Sequence, residues 1–325
     1  MLTLYTGRDT CLVHTEPVAG SACDGVVWFD LVSPTAEEDR FVERQMGVSI
    51  PTRDEALEIE TSSRLYEEGG ALYMTAVTLC QADSERPGTT TVTFILAANR
   101  LATVRYEDTR PFSHFEGRAL KPGSGVLDGT DVLLGLTDSV VDRVADVLER
   151  VGAEVDQISS QIFAHDIGSR DARSRDYGRL IRAIARQGHT IGKTQESLVS
   201  FSRLLGFFAE QGPQSGLTVE EKGHITTLQQ DIKSISDYAT ALDNKVVFLL
   251  DATLGLVGLE QNTIVKIFSV LAVVFMPPTL IASIYGMNFR LMPELDWTFG
   301  YPMALGMMLA SVLVTYTVFK WRGWL

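Results

Sequence analysis

The sequence predicts a mixed α/β domain followed by long helices that lead into two transmembrane helices. Three observations predict it. The first 115 residues alternate strand-like and helix-like pieces. From Val219 to about Tyr285 a helical period runs with no proline before Pro277. Two stretches, "IFSVLAVVFMPPTLIASIY" (267–285) and "YPMALGMMLASVLVTYTVF" (301–319), carry no charge. Each covers about 28 Å as a helix, close to the hydrocarbon thickness of a bilayer. Two buried core helices of a soluble protein are the competing explanation, but uncharged runs of this length are uncommon in soluble domains.

The elements follow in order. "GVVWFDLV" (25–32) is apolar and β-branched, as a buried strand is. "SPTAEEDRFVERQMG" predicts a helix with Ser33 as N-cap, Pro34 at the first helical position, acids in the first turn and Gly47 as the stop. "SSRLYEEGGALYMTAVTLC" (62–80) places a Glu-Glu-Gly-Gly turn between two strands. "TTTVTFILAANRLATVRYE" (89–107) is a hairpin turning at Ala-Asn-Arg. "KPGSG" (121–125) is a linker, and residues 131–163 then show apolar positions three and four apart. The polar "GSRDARSR" (168–175) breaks that pattern, residues 177–208 carry the returning helix, and "EQGPQSG" (210–216) ends it. The expected divisions are an α/β domain (1–120), a helical hairpin (121–216), a long helix (217–285) whose span begins near 264, a loop (286–300) and a second span with its tail (301–325).

Composition narrows the function. The net charge is −13, which argues against nucleic acid as a partner, because phosphate binding needs clustered positive charge. Cys11, Cys23 and Cys80 form no CxxC pair, and the five histidines are scattered. No Walker loop, GxGxxG or GxSxG appears, so no enzyme is expected. "MLTLYTGRDTCLVH" has neither the basic start nor the apolar run of a signal peptide. Lys266 precedes the first span, and Lys320 and Arg322 follow the second. This predicts a multi-pass protein of the inner or plasma membrane with both termini in the cytoplasm.

Two spans cannot enclose a water-filled path, so transport requires several copies packed around an axis. Stepping back from Asn288 at helical spacing gives Ser283, Thr279, Met276, Ala272, Ser269, Val265 and Asn262, then Gly258 and Asp251. This face is smaller and more polar than the opposite one, as the lining of a pore would be. Serine and threonine that merely satisfy backbone carbonyls in a lipid-facing helix would look the same. Pro277 and Pro278 remove two backbone donors in mid-span, freeing carbonyls near Val273 and Val274. Such breaks suit a wet cavity, and a kink without function is the alternative.

"GMN" (286–288) follows the first span. Gly286 can take a positive φ at a helix end and leave carbonyl oxygens free, and Asn288 adds a neutral amide oxygen. Rings of such oxygens match a hydrated divalent cation. Mg²⁺ sheds water reluctantly, so a filter that binds its hydration shell avoids the dehydration cost. Glu294 and Asp296 in the loop can concentrate cations from a distance. A plain glycine cap followed by a turn asparagine is the simpler account.

"FSVLAVVFMPPTLIASIYGMNFRLMPELDWTFGYP" closely resembles the CorA family of magnesium transport proteins, and "LEQNTIVKIFSV" (259–270) and the terminal "WL" also look like that family. "VVWFDLVSPTAEEDR", "EIETSSRLYEEGGALYM" and "TTTVTFILAANRLATVR" are similar to its cytoplasmic domain, so the resemblance covers nearly the whole chain. It implies a funnel-shaped homopentamer in the lipid bilayer that carries Mg²⁺, with Co²⁺ and Ni²⁺ as further cargo. Gly286, Met287 and Asn288 would form the outer filter. Met276 and Thr279 match pore positions, Val265 and Phe268 fall near an inner gate, and Asp251 matches an acid at the pore mouth. In the family, Mg²⁺ bridging cytoplasmic acids between subunits holds the pore shut. The acids assigned to it here are Asp83 and Glu85 on one side with Asp231 or Asp237 on the other. Where family members often end in a dense basic run, this chain has only Lys320 and Arg322.

Two rivals remain at this stage. One is a Zn²⁺ transporter of the same superfamily, with or without proton coupling, although the first span holds no titratable residue. The other is a membrane-anchored regulatory scaffold, which would need no particular loop sequence.

Overall fold

The computed structural model describes residues 1–8, 11–15, 23, 25–58, 60–84, 87–163, 170–212, 216–287, 292–293 and 297–322. It divides into two compact units, Met1–Leu250 and Asp251–Leu325.

The first unit is built on a seven-stranded sheet. Its strands are β1 (Leu2–Arg8), β2 (Cys11–Thr15), β3 (Val26–Val32), β4 (Leu65–Glu68), β5 (Ala71–Cys80), β6 (Gly88–Ala97) and β7 (Arg100–Arg105), in the order β2-β1-β3-β7-β6-β5-β4. Every neighbouring pair is antiparallel except β3 with β7, which run parallel with Trp28 beside Leu101 and Asp30 beside Thr103. All ten residues of β5 are buried, because both faces of the sheet are covered. Helix α1 (Ala36–Met46) covers one face, where Val42 and Met46 pack with Phe29, Leu31, Tyr73, Ile95 and Val104. On the other face Phe115 of α4 (Arg110–Ala119) meets Trp28 edge-on at 5.7 Å, and Phe94 stacks on Phe112 at 6.4 Å.

Local chemistry sets the boundaries. The N-cap of α1 is Thr35, two residues beyond the expected Ser33. Thr35 and Glu38 form a reciprocal capping box, while Ser33 holds a positive φ of 44° before the helix begins. Gly47 closes the helix in the left-handed conformation, as expected. The strands of residues 65–80 and the hairpin of 88–105 also match the sequence pattern. Two short helices, α2 (Arg53–Leu57) and α3 (Thr61–Arg64), lie between α1 and β4.

Three long helices follow. These are α5 (Gly129–Phe163), α6 (Arg170–Gln211) and α7 (Val219–Tyr285). The polar residues 170–175, expected to interrupt the pattern, are the start of α6. Gly129 donates its N–H to the Asn99 carbonyl at 2.8 Å, and a Cβ there would lie 2.7 Å from the Arg100 backbone. The start of α5 therefore docks directly on the β6–β7 turn. Helix α7 has 67 residues, about 100 Å at 1.5 Å each. Ile225, Leu228, Ile232, Ala239, Leu242, Val246 and Leu249 form its buried stripe in the first unit. Close approach at the glycines locks it there: the Tyr238 hydroxyl sits against Gly152, and Val246 lies over Gly188. Lys245 also pairs with Asp156.

The second unit holds the rest of α7 and helix α8 (Gly300–Trp321). Both helices are long and apolar enough to cross a membrane. Helix α7 passes through Pro277 and Pro278 without ending.

Candidate functional site

In the second unit, the exposure of each side chain sorts α7 into two faces. Val270, Val274, Pro277, Pro278, Ile281 and Tyr285 are half-buried. At 3.6 residues per turn they form one stripe. On α8, Gly300 and Ala304 are buried and Met308, Ser311, Thr315 and Phe319 are half-buried, again a single stripe. Small and polar residues supply much of the α8 stripe, which lets backbones approach closely in a bilayer.

Half a turn round α7 from its covered stripe lie Asn262, Val265, Phe268, Ser269, Ala272, Met276, Thr279 and Ser283, all exposed. Phe268 and Met276 are each 66% exposed and Val265 is 62%. Helical spacing thus puts the residues expected to line a pore and the expected gate residues Val265 and Phe268 on one side of α7, while Ile267, Leu271, Phe275, Leu280 and Ile284 on the other sides are exposed as well. Asp251 is also exposed, at the start of this unit. The Thr279 hydroxyl donates to the Phe275 carbonyl at 2.7 Å, so it does satisfy its own helix. Among the described residues, Ser269 and Ser283 make no such bond.

Gly286 corrects one expectation. Its φ is not in the left-handed region, which among the described glycines is confined to others such as Gly47 and Gly216. Its N–H donates to the Ala282 carbonyl at 2.9 Å just past Tyr285, the last residue of α7, so it ends the helix without a left-handed turn. A Cβ at this position would lie 3.0 Å from that same carbonyl oxygen. A side chain here would crowd that oxygen, while handedness sets no demand for glycine. Met287 donates its N–H to the Ile284 carbonyl at 3.3 Å and is 47% exposed. Asn288, Glu294 and Asp296 lie outside the described residues, as does Glu85.

The acids expected to bridge neighbouring subunits are placed here within one chain only. Asp231 and Asp237 are exposed on α7 in the first unit. Asp83 accepts hydrogen bonds from Arg143 at 2.7 Å and Arg150 at 2.5 Å, and Arg110 lies 2.5 Å from its other oxygen. Bonds from Arg150 and then Arg143 hold its carboxyl down at about 2. Three guanidinium groups repel a divalent cation, so in this conformation Asp83 serves arginines and not a metal ion.

Sequence inspection missed two groups. Asp128, Asp131 and Glu221 place carboxylate oxygens within 4.8 Å of one another. Burial, with Asp131 and Glu221 nearby, raises the Asp128 pKa. Each already serves a helix start: Asp128 accepts from the Thr130 N–H (2.8 Å), Asp131 from Leu127 (2.8 Å) and Glu221 from Thr218 (2.6 Å). The other is the arginine group itself. Arg143 and Arg150 are seven apart, hence on one face of α5, which was the only trace of it in the sequence.

The family model described as CorA-like Mg²⁺ transporter protein matches residues 24–321. The chain is 31% identical to the magnesium transport protein CorA of Pasteurella multocida (strain Pm70), covering 100% of both chains. Its fold is similar to the complete structure of the CorA magnesium transporter from Methanocaldococcus jannaschii, with a TM-score of 0.78 at 16% identity over 100% of this chain and 99% of that one. The ZntB cytoplasmic domain from Vibrio parahaemolyticus is similar at a TM-score of 0.53 and 10% identity, over 78% of this chain and 96% of that domain, a likeness of fold alone.

Proposed function

The chain belongs to the CorA family of magnesium transporters, and on that premise we propose that it conducts hydrated Mg²⁺ passively into the cytoplasm. Transport of an ion requires no covalent chemistry, so the protein acts as a transporter and not as an enzyme. The observation that supports the proposal is the spacing along α7: Asn262, Ser269, Ala272, Met276, Thr279 and Ser283 share one small and polar face, half a turn from the half-buried Val270, Val274, Ile281 and Tyr285. Five copies placed around an axis, each turning this face inward, would enclose a narrow path lined by small and polar groups.

Each residue then has a part. Carbonyls of Gly286 and Met287 and the amide of Asn288 form the outer collar, which hydrogen-bonds to the ion's water shell and spares its dehydration. Glu294 and Asp296 raise the local cation concentration. Met276 narrows the path, and Val265 and Phe268 form an apolar gate that dewets when closed. Asp251 draws the ion onward. Internal Mg²⁺ binding at exposed acids such as Asp231 and Asp237 favours the closed state, and by linkage its loss opens the pore. Co²⁺ and Ni²⁺, of like charge and hydration, follow the same route.

Flux into proteoliposomes, measured for Mg²⁺, Co²⁺, Ni²⁺ and Zn²⁺ with and without a pH gradient, tests this. The expected result is Mg²⁺ entry indifferent to the pH gradient and abolished in Asn288→Ala with the oligomer intact. Zn²⁺ entry that follows the proton gradient, or normal flux in Asn288→Ala, overturns it.

A further inference from the structure

The surplus of positive charge around Asp83 stands out in a chain of net charge −13. Asp83 lies in the turn between β5 and β6 and is 36% exposed. Arg143 and Arg150 both donate to Oδ1, Arg150 also reaches the Ala82 carbonyl at 2.6 Å, and Arg110 pairs with Oδ2. Three permanently charged forks thus share one carboxylate. Two clefts open beside it. One, of about 280 Å³, is bordered by Arg110 and Arg143, and the other, of about 220 Å³, by Arg150, Arg186 and Thr190. Two acids stand at their edges: Asp108, which pairs with Arg105 at 2.7 Å, and Glu154, which accepts from the neutral Gln187 of the same cleft at 2.5 Å. Arg186 is exposed and makes no ion pair among the described residues.

We propose that this arginine group is a binding site for soluble polyphosphate anions of the nucleoside-polyphosphate class, with the Asp83 carboxylate as the internal stand-in for one phosphate. Guanidinium forks pair with phosphate oxygens two at a time, and three forks offer more donors than a carboxylate can accept. Both clefts are walled by Asp83, and each has arginines of its own, so a chain of phosphates fits the arrangement better than a single one. A ligand phosphate competes with Asp83 for Arg143 and Arg150. Its binding therefore releases the β5–β6 turn from α4 and α5. The site uses none of the groups of the conducting face, and it stands or falls apart from the transport proposal.

The test is isothermal titration of the full-length protein in detergent with tripolyphosphate and with ATP, both in excess EDTA. Saturable binding weakened by salt is expected. Asp83→Asn removes the internal competitor and should tighten binding about 3-fold or more, whereas Arg150→Gln should weaken it about 10-fold and Arg186→Gln about 3-fold. If Arg150→Gln does not fold, Asp83→Asn and Arg186→Gln decide, because Arg186 holds no other charged group. No saturation below about 10 mM, or affinities within about 2-fold of wild type in both of those variants, overturns the proposal. Binding to phosphatidylglycerol vesicles without binding of tripolyphosphate overturns it too, because the site would then read lipid headgroups.

Discussion

Gly286 ends the first span without the left-handed turn that its place there suggested. Its N–H donates to the Ala282 carbonyl, and a Cβ would lie 3.0 Å from that oxygen. Gly286→Ala should cut Mg²⁺ flux by about tenfold or more while the oligomer stays assembled, because a methyl 3.0 Å from that oxygen forces the helix end to shift and with it the proposed collar. Unchanged flux in that variant would leave glycine as a convenience. Asp30 is a second case, invisible in the sequence because its partners lie more than seventy residues away. It accepts from Arg105 Nη2 at 2.8 Å and from the Thr103 hydroxyl at 2.7 Å, and both ends of the ion pair are under 10% exposed. Trp28 donates to Thr103 at 2.9 Å, and the Arg105 guanidinium lies over the Phe112 ring. Asp30→Ala strands a buried guanidinium and should cost about 3–5 kcal/mol, read as a lowered urea midpoint. A loss under about 1 kcal/mol would mean that Asp108 alone satisfies Arg105.

Among the elements, the legible ones were those whose signal is local. The β5 and β6 strands announce themselves through unbroken β-branched and aromatic runs, and α7 through a stripe of period 3.6. The same period groups the residues proposed to line the path, since the positions that share a face are fixed by spacing alone. Strands β1 and β2 and helix α4 were not foreseen. β2 has only five residues, and α4 is ten residues anchored by Phe112 and Phe115, which reach a core that only the tertiary fold supplies. The docking of α5 was equally hidden, because a glycine in sequence does not reveal what approaches it. Gly129→Ala forces a methyl to within 2.7 Å of the Arg100 backbone and should destabilise the protein by about 1–3 kcal/mol. Gly117→Ala, on α4 with open space around it, should instead be neutral or slightly stabilising. Equal effects of the two substitutions on the thermal midpoint would show that the α5 start moves aside freely.

For the whole molecule, the proposed passive conduction takes its driving force from the membrane potential. A divalent ion moving inward gains about 4.6 kcal/mol per 100 mV, about a 2,000-fold accumulation at equilibrium. Imposing potassium diffusion potentials on proteoliposomes should therefore make Mg²⁺ entry rise with inside-negative voltage and reverse with its sign. Entry independent of voltage would point to a coupled carrier. The architecture of the first unit also bears on how the chain is made. The sheet has one parallel seam, between β3 and β7, and the backbone pairing that joins β1, β2 and β3 to the remaining strands passes through it. As the polypeptide leaves the ribosome, β3 emerges with its hydrogen-bonding edge bare. Its mate is completed only with Arg105, and at about 5–20 residues per second that delay is on the order of 10 s. Throughout it a sticky, half-built ribbon is presented to the cell, so nascent chains stalled before residue 105 should be captured by chaperones far more than chains stalled after it.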